Sequence, residues 1–459
     1  MLFHTKKDDT IVALSTPIGV SAIAVIRLSG KDCFDIVQKF WQGKSLKDTK
    51  GNTALFGKII KENELIDEVI VTLFKAPHSF TKQNSIEISC HGSAYIVQQI
   101  IELCLENGAR LAEAGEFTQR AYLNGQFDLA QAEAIADLIH SDSKASHQLA
   151  ISQMRGGFSQ KIKDLRENLI KLAALLELEL DFSEEDVEFA NRDELYAQVM
   201  DLQKVIQKMI QSFSLGNVMK NGFSIAIIGK PNAGKSTLLN ALLEEDRAIV
   251  SNIAGTTRDT IEETKIIKGI KCRFIDTAGL RQTEDTIEKI GIERTIKKIK
   301  ESHFIIYLFD MQTMTLEELV EEEKNYIAPY QIPYLLVGNK IDLINIETLR
   351  KFEKIPQFIG ISAYKSLKIN DLEKYLTAHI EQNSNTESQI IISNVRHLQC
   401  LKEALENLHT VQKGIETKLA TEMIASDLRQ VIYHLGSIVG EVTNNDLLDF
   451  IFSKFCIGK

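Results

Sequence analysis

A glycine, four intervening residues and a Gly-Lys-Ser triplet make up Gly229-Lys-Pro-Asn-Ala-Gly-Lys-Ser236. That spacing restricts the local fold to a strand turning into a helix around a phosphate. Phe223-Ser-Ile-Ala-Ile-Ile228 reads as the short buried strand, and Ser236-Thr-Leu-Leu-Asn-Ala-Leu-Leu243 as the helix. The glycines let successive backbone N–H groups curl around a β-phosphate, and the helix N-terminus adds its positive end. Asn232, Ala233, Gly234 and Thr237 complete the cradle, with Lys235 as a point charge for the β- and γ-phosphates and the Ser236 hydroxyl as a ligand for Mg²⁺. A nucleoside triphosphate is the expected ligand.

The base is read further along. Asn339-Lys340-Ile341-Asp342 follows the apolar run Ile332-Pro-Tyr-Leu-Leu-Val337, so its polar residues emerge at the carboxyl end of a predicted strand. The Asp342 carboxylate can accept from both N1–H and the exocyclic amine of guanine, and adenine offers no matching donors. A site built on such bonds rejects the wrong base by about 10⁴ or more, which points to GTP. Ser362-Ala363, after Gln357-Phe-Ile-Gly-Ile361, would close the base pocket.

Asp276-Thr277-Ala278-Gly279 ends the strand Lys271-Cys-Arg-Phe-Ile275, which a turn at Gly269 joins to the strand Glu262-Glu-Thr-Lys-Ile-Ile267. Asp276 would hold Mg²⁺ through water, and the Gly279 N–H would sense the γ-phosphate. Gly255-Thr256-Thr257-Arg258-Asp259 offers Thr257 as a second hydroxyl on the metal. In this order the five elements resemble the translation-factor-related P-loop GTPases over residues 216 to about 382. Leu280 stands where Ras-type enzymes carry the glutamine that orients the attacking water. Another group must therefore do this, and Glu284, Asp285 and Glu288 are within the next turns of sequence.

A chain of 459 residues exceeds one such domain, and its length suggests about three. Residues 1–124 mix alternating runs, Ile23-Ala-Val-Ile-Arg27 and Glu68-Val-Ile-Val-Thr-Leu-Phe74, with a helix near Tyr95 to Asn107, as an α+β domain would. Residues 125–215 read as helical: Leu129, Ala132, Ala136 and Ile139 share one face, and Leu165, Leu169, Leu172, Leu176 and Leu180 another. The acidic cluster Asp181-Phe-Ser-Glu-Glu-Asp186 reads as a solvated turn or cap. After the nucleotide domain at 216–382, Gln382-Asn-Ser-Asn-Thr-Glu-Ser388 reads as a linker into residues 383–459. There 394–455 are helical, with Leu398, Leu401, Leu405 and Leu408 as the apolar face. The expectation is a multidomain α/β and α protein, with a Ras-like doubly wound P-loop GTPase domain inserted into a discontinuous helical domain.

No apolar run approaches the roughly 20 residues that span a bilayer, and the start does not lead into a secretory signal. A cytoplasmic protein without membrane contact is expected. Its six scattered cysteines lack metal spacing and are expected to be reduced and mostly buried. A net charge of −10 argues against a broad basic footprint for nucleic acid. Cys456, fourth from the end, imitates a prenylation box, but Gly458 is not aliphatic and Lys459 is a poor terminal residue for it. Read from residues alone, this tail is frayed and its thiol incidental.

Further motifs, Ser79-Phe-Thr81, Phe127-Asp-Leu-Ala-Gln-Ala-Glu-Ala-Ile-Ala-Asp-Leu138 and Cys456-Ile-Gly-Lys459, join the nucleotide motifs. Together they resemble the MnmE (TrmE) family of tRNA-modification GTPases across essentially the whole chain. The resemblance implies a homodimer formed through a folate-binding N-terminal domain, working with the FAD-bearing flavoprotein MnmG in a hetero-oligomer. Such a complex adds a carboxymethylaminomethyl-type group to C5 of the wobble uridine, position 34, of certain tRNAs. A tetrahydrofolate derivative, the 5-formyl or 5,10-methylene form, would supply the one-carbon unit, and GTP hydrolysis would drive domain movement. The net negative charge fits a division of labour in which the flavoprotein supplies most of the RNA-binding surface.

Carried over residue by residue, the resemblance implies K⁺ on Asn232 of the phosphate loop and on Ser251, Ile253 and Thr256 of a second loop, 251–256, which also includes Asn252, Ala254 and Gly255. That ion would supply the charge an arginine finger supplies elsewhere. Glu288 matches the family's water-positioning glutamate, and Arg27, Glu87 and Lys459 match its folate contacts. Gln126 stands where some members carry a lysine; it can hydrogen-bond but cannot pair with a carboxylate. Cys456 matches a cysteine regarded as functional, and a nucleophilic role would need a lowered thiol pKa. Two other readings share the phosphate loop: a ribosome-assembly GTPase switch, and a folate-dependent aminomethyltransferase with a regulatory GTPase.

Overall fold

Period-two alternation builds the first sheet. The computed structural model describes residues 9–181, 192–243, 262–276, 300, 302–384, 390–443 and 445–458. They fall into two compact units, Met1–Ile139 with Ser152–Gln203 and Cys400–Lys459, and His140–Ile151 with Lys204–Gln399. In the first, β1 (Ile11–Leu14), β2 (Ser21–Ser29), β3 (Trp41–Gln42), β4 (Thr53–Lys61), β5 (Glu64–Phe74), β6 (Ser85–Gly92) and β7 (Arg110–Leu111) form one sheet. Its order is β3-β4-β5-β6-β2-β1-β7, antiparallel except for the β1–β7 pair. Val69, Val71 and Leu73 of β5 are buried on one face, with Ile100, Leu103 and Cys104 of the helix Ala94–Glu106 in the same core. The intervening Ile70 is 47% exposed.

The helices of this unit follow the 3.6-residue period. Leu165, Leu169, Leu172 and Leu176 of the helix Gly157–Asp181 are buried, and this helix packs against Thr421–Val439, which buries Ile424, Leu428, Val431 and Leu435. Three expectations need correcting. Ile139 ends its helix and is exposed, Leu180 is half-buried, and in the helix Val395–Glu416 the buried line is Leu401, Ala404, Leu408 and Val411, with Leu398 and Leu405 half-buried. At Ile139 and Leu180 the helix end leaves the core before its periodicity does.

The second unit holds β8 (Phe223–Ile228), β9 (Glu262–Ile267), β10 (Ile270–Asp276), β11 (Phe304–Asp310), β12 (Tyr334–Asn339) and β13 (Phe358–Gly360), in the order β13-β12-β11-β8-β10-β9. Only β9 runs antiparallel to its neighbour. β8 is central and all six of its residues are buried, because helices cover both faces of a parallel sheet. On one face Ile225 and Ile227 share a core with Leu238 and Leu242 of the helix Lys235–Leu243 and with Leu372 and Leu376 of Ile369–Ser384. On the other, Ala226 and Ile228 share a core with Leu319 and Phe352. Helix Ile369–Ser384 runs into the segment expected to be a linker. The segment 140–151 also belongs here, with Ala145 N donating to Gly269 O at 3.0 Å and Lys271 Nζ lying 2.5 Å from Asp142 Oδ2.

A buried ion network fastens β7 and the helix Glu116–Leu123 to the start of β1. Glu116, 1% exposed, takes bonds from Arg110 Nη2 at 2.5 Å, Arg120 Nη2 at 2.9 Å and Glu113 N at 3.0 Å, and Asp9 pairs with both arginines. Burial alone would raise the Glu116 carboxyl, but the Arg110 bond, the Glu113 N–H and the two guanidinium charges outweigh it and hold it below the usual range. Asp9 is lowered against its own burial by the same arginines. Both folded values lie below the unfolded ones, so this stability is complete above the unfolded values and is lost as pH falls through the folded ones. Trp41, the single tryptophan and 6% exposed, reports unfolding of this unit. Glu116→Gln is expected to cost about 3–5 kcal/mol in urea melts followed by Trp41 fluorescence at neutral pH, and less at acid pH. An equal cost at both would assign the loss to packing.

Candidate functional site

Because β8, β11, β12 and β13 are parallel, their carboxyl ends Ile228, Asp310, Asn339 and Gly360 line one edge, where open α/β sheets bind ligands. The loop after β8 demands glycine twice. At Gly229, with φ +152°, a Cβ would lie 1.9 Å from Leu308 O. At Gly234, with φ +95°, it would lie 2.3 Å from Asn339 Nδ2. Asn232 takes the left-handed conformation at φ +65°. Lys235 opens the helix, one residue before the expected start, and its Nζ donates to Gly229 O at 2.7 Å and Lys230 O at 3.0 Å. Ser236 and Thr237 are exposed in the first turn, open to a ligand.

Asn339, 3% exposed, is the last residue of β12 rather than the start of the loop after it. Its Nδ2 donates to Ala233 O at 2.8 Å, and its Oδ1 accepts from Lys340 N at 2.8 Å and Ala363 N at 3.0 Å. One carboxamide thus joins the loops after β8, β12 and β13. Asp342 is held below the usual carboxylate range by a hydrogen bond from the Ser362 side chain, with Lys365 Nζ 3.4 Å away. Ionised, it offers acceptors only, as two donors on a guanine edge require. Ser362 is itself buried, and its Oγ accepts from Lys365 N at 3.2 Å.

Sequence reasoning missed Asp310. It pairs with Lys340 Nζ at 2.5 Å, with Lys340 in the left-handed region at φ +65°. The signal was there, since an acid closes the otherwise apolar run Phe304–Phe309. Asp276 ends β10, beside Ile227 of β8 in register. Thr277, Ala278, Gly279, Ser251 to Thr257, Glu284, Asp285, Glu288 and Lys459 lie outside the described residues.

A second constellation lies in the first unit. Arg27 on β2 stands opposite Glu87 on β6, and its Nε and Nη2 donate to Glu87 Oε1 at 2.9 and 2.7 Å. Arg27 Nη1 donates to Gly458 O at 3.3 Å, as does Ser15 Oγ at 3.2 Å. The guanidinium lies 5.6 Å from the Phe80 ring centroid and 5.8 Å from that of Phe117. The tail is therefore docked and not frayed. Ile457 bridges Ala114, Gly115 N donates to Cys456 O, and a Cβ on Gly458 would lie 2.4 Å from Leu14 O. Gln126 lines a cleft that Phe80 also lines, and neither Arg27 nor Glu87 is among its lining residues.

All six cysteines are free; Cys33, Cys90, Cys104 and Cys272 are buried, Cys400 is half-buried and Cys456 is exposed. Burial pushes the Cys33, Cys104 and Cys272 thiols up to about 12 and Cys90 to about 11. Among the described residues no cluster of His, Cys, Asp and Glu could hold a metal ion, and no helix is long and apolar enough to cross a membrane.

Residues 10–126 match the family described as GTP-binding protein TrmE N-terminus, and residues 129–456 match the MnmE helical domain. The chain is 50% identical over 455 residues to the tRNA modification GTPase MnmE of Cytophaga hutchinsonii, covering 99% of each. It is 47% identical over 468 residues to that of Flavobacterium psychrophilum, covering 100% of each. With the Parabacteroides distasonis protein it shares 49% over 461 residues, 98% of this chain and 100% of the relative. A glycine-requiring loop after β8 buttressed by Asn339, an Asp342 carboxyl held low and full-length similarity lead to one conclusion: the chain belongs to the MnmE family of tRNA modification GTPases.

Proposed function

We propose that this chain hydrolyses GTP at the carboxyl edge of β8, β11 and β12 and couples the turnover to modification of tRNA. The observation that carries the reading is Asn339, whose bonds with Ala233 O and Ala363 N tie the loop after β8 to the loop after β13. In this reading Ser236 and Thr257 hold Mg²⁺, Asn232, Ser251, Ile253 and Thr256 hold K⁺, and Glu288 positions the attacking water. The exposed hydroxyl of Ser236 and the left-handed Asn232 suit those roles. The domains assigned are 1–124 for folate binding and dimerisation, 125–215 with 383–459 as the helical domain, and 216–382 for GTP.

The modification is a carboxymethylaminomethyl-type group at C5 of uridine 34, made with the FAD-bearing partner MnmG in the cytoplasm. Arg27, Glu87, Gln126 and Lys459 would hold the tetrahydrofolate derivative, which supplies the one-carbon unit when bound. The residues fit it: Glu87 is an acceptor for ring N–H donors, Arg27 fixes that carboxylate, and Phe80 and Phe117 flank the pair. Homodimerisation is supported by the outer sheet face. Glu87 and Ser89 share a face of β6, Ser89 is opposite Ile70, and Ile70 is opposite Phe56, which is 68% exposed. An apolar patch continuous with the Arg27–Glu87 pair suits a second copy. Cys456, the exposed thiol of the docked tail, is assigned to the same chemistry.

Three outcomes test this. Asp342→Asn exchanges an acceptor for a donor, so GTP affinity is expected to fall about 100-fold while xanthosine triphosphate gains, measured by nucleotide competition. GTP turnover is expected to be faster in KCl than in NaCl at equal ionic strength; equal rates would remove K⁺ from the site. Mass spectrometry of tRNA nucleosides from cells lacking the gene is expected to show loss of 5-substituted wobble uridines, restored by the wild type but not by Cys456→Ser. Unchanged uridines would leave a GTPase with some other target.

A further inference from the structure

The cleft that Gln126 shares with Phe80 is a wide, open one of about 680 Å³. Phe74, Pro77 and Phe80 make its apolar part, His78, Lys82 and Gln126 contribute polar groups, and no lining residue is acidic. Lys82 takes a left-handed conformation, φ +57°, and its Nζ donates to the carbonyl of Gly125 at 2.7 Å, one residue before Gln126. Among the described residues no carboxylate lies within ion-pair reach of this ammonium group. A neutral carbonyl occupies one of its three donors and leaves its charge uncompensated at the cleft. The same bond holds the long side chain beside Gln126, so part of the ordering cost of binding an anion is met beforehand. Apolar aromatic walls with one fixed cation suit a flat ring system that carries a carboxylate.

We propose that Lys82 is the residue that selects for the glutamate carboxylate of the tetrahydrofolate derivative, with Gln126 as its neutral hydrogen-bonding neighbour. The assignment rests on the folate reading above. Phe80 connects the two places, because its ring lines the cleft and also lies under the Arg27 guanidinium that pairs with Glu87. The division follows from charge: Glu87 suits the donor edge of a pterin, and Lys82 suits the acidic tail. A cation beside position 126 accounts for how a glutamine there is compatible with an acidic ligand.

Calorimetric titration of the full chain with 5-formyltetrahydrofolate, and with 5-formyltetrahydropteroate that lacks the glutamate, tests this. Lys82→Gln is expected to weaken the first by about 10-fold and leave the second unchanged. Adding Gln126→Lys to that variant is expected to recover the loss, which a merely structural role of Lys82 would not permit. Equal weakening of both compounds, or none of either, overturns the assignment, as does loss of tRNA binding with folate binding intact. A wild-type protein that binds both compounds equally keeps the folate site and removes Lys82 from it. One that binds neither overturns the folate reading itself, and the assignment with it.

Discussion

The carboxamide of Asn339 is the interaction on which the nucleotide site depends. It is buried at the end of a central parallel strand, where an unpaired amide costs about 1–3 kcal/mol, and both its ends are used. Ala233 O, Lys340 N and Ala363 N belong to three loops from three strands, so the amide sets their mutual distances before any ligand arrives. Its closeness to Gly234 explains that glycine as much as backbone conformation does, because a side chain there would displace the amide. The phosphate loop is thus shaped by a residue more than 100 positions downstream as well as by its own glycines. Pre-organisation of this kind lowers the ordering cost of binding and leaves more of the interaction energy for the ligand.

At the other end of the chain, a tail supplies backbone to a site built by strands. Arg27 divides its donors between Glu87 and Gly458 O, so the ion pair and the docked tail share one guanidinium. A planar fork of five donors can serve two acceptors in fixed directions, which a lysine could not do with equal geometry. The tight fit of Gly458 against Leu14 O and of Gly115 against Phe452 O removes the room in which the tail could slide. Residues at opposite ends of the sequence therefore become neighbours through close backbone approach, next to an apolar cluster in which Phe452 and Phe455 pack with Leu129 and Ala132.

What was legible in the sequence follows from what kind of burial each segment undergoes. Phe223–Ile228 and Glu262–Ile267 match the expected strands residue for residue, the first as an uninterrupted apolar run, the second because Gly269 ends its hairpin. Arg27 and Glu87 were named from resemblance, and the register of β2 against β6 brings them face to face. Asp310 and the network of Asp9, Arg110, Glu116 and Arg120 were not read, since each charge looks like a solvated one until folding supplies its partner. Ile139 erred in the opposite direction, because periodicity continues past the point where the helix leaves the core. The K⁺ loop and Glu288 fall outside the described residues, so their roles remain carried by resemblance.

Thiol chemistry narrows by the same physics. Thiolate, not thiol, is the nucleophile, and burial has pushed four of the six cysteines up to about 11 or 12 while closing access to them. Cys400 is half-buried on a helix. That leaves Cys456, exposed, with its own carbonyl held by Gly115 N, the next residue bridged to Ala114 and the one after bonded to Arg27 and Ser15. A thiol open to solvent thus stands two residues along the chain from Gly458, whose carbonyl Arg27 Nη1 reaches at 3.3 Å. Its main chain is held by these bonds while its side chain is exposed, so position comes from the main chain and access from the side chain.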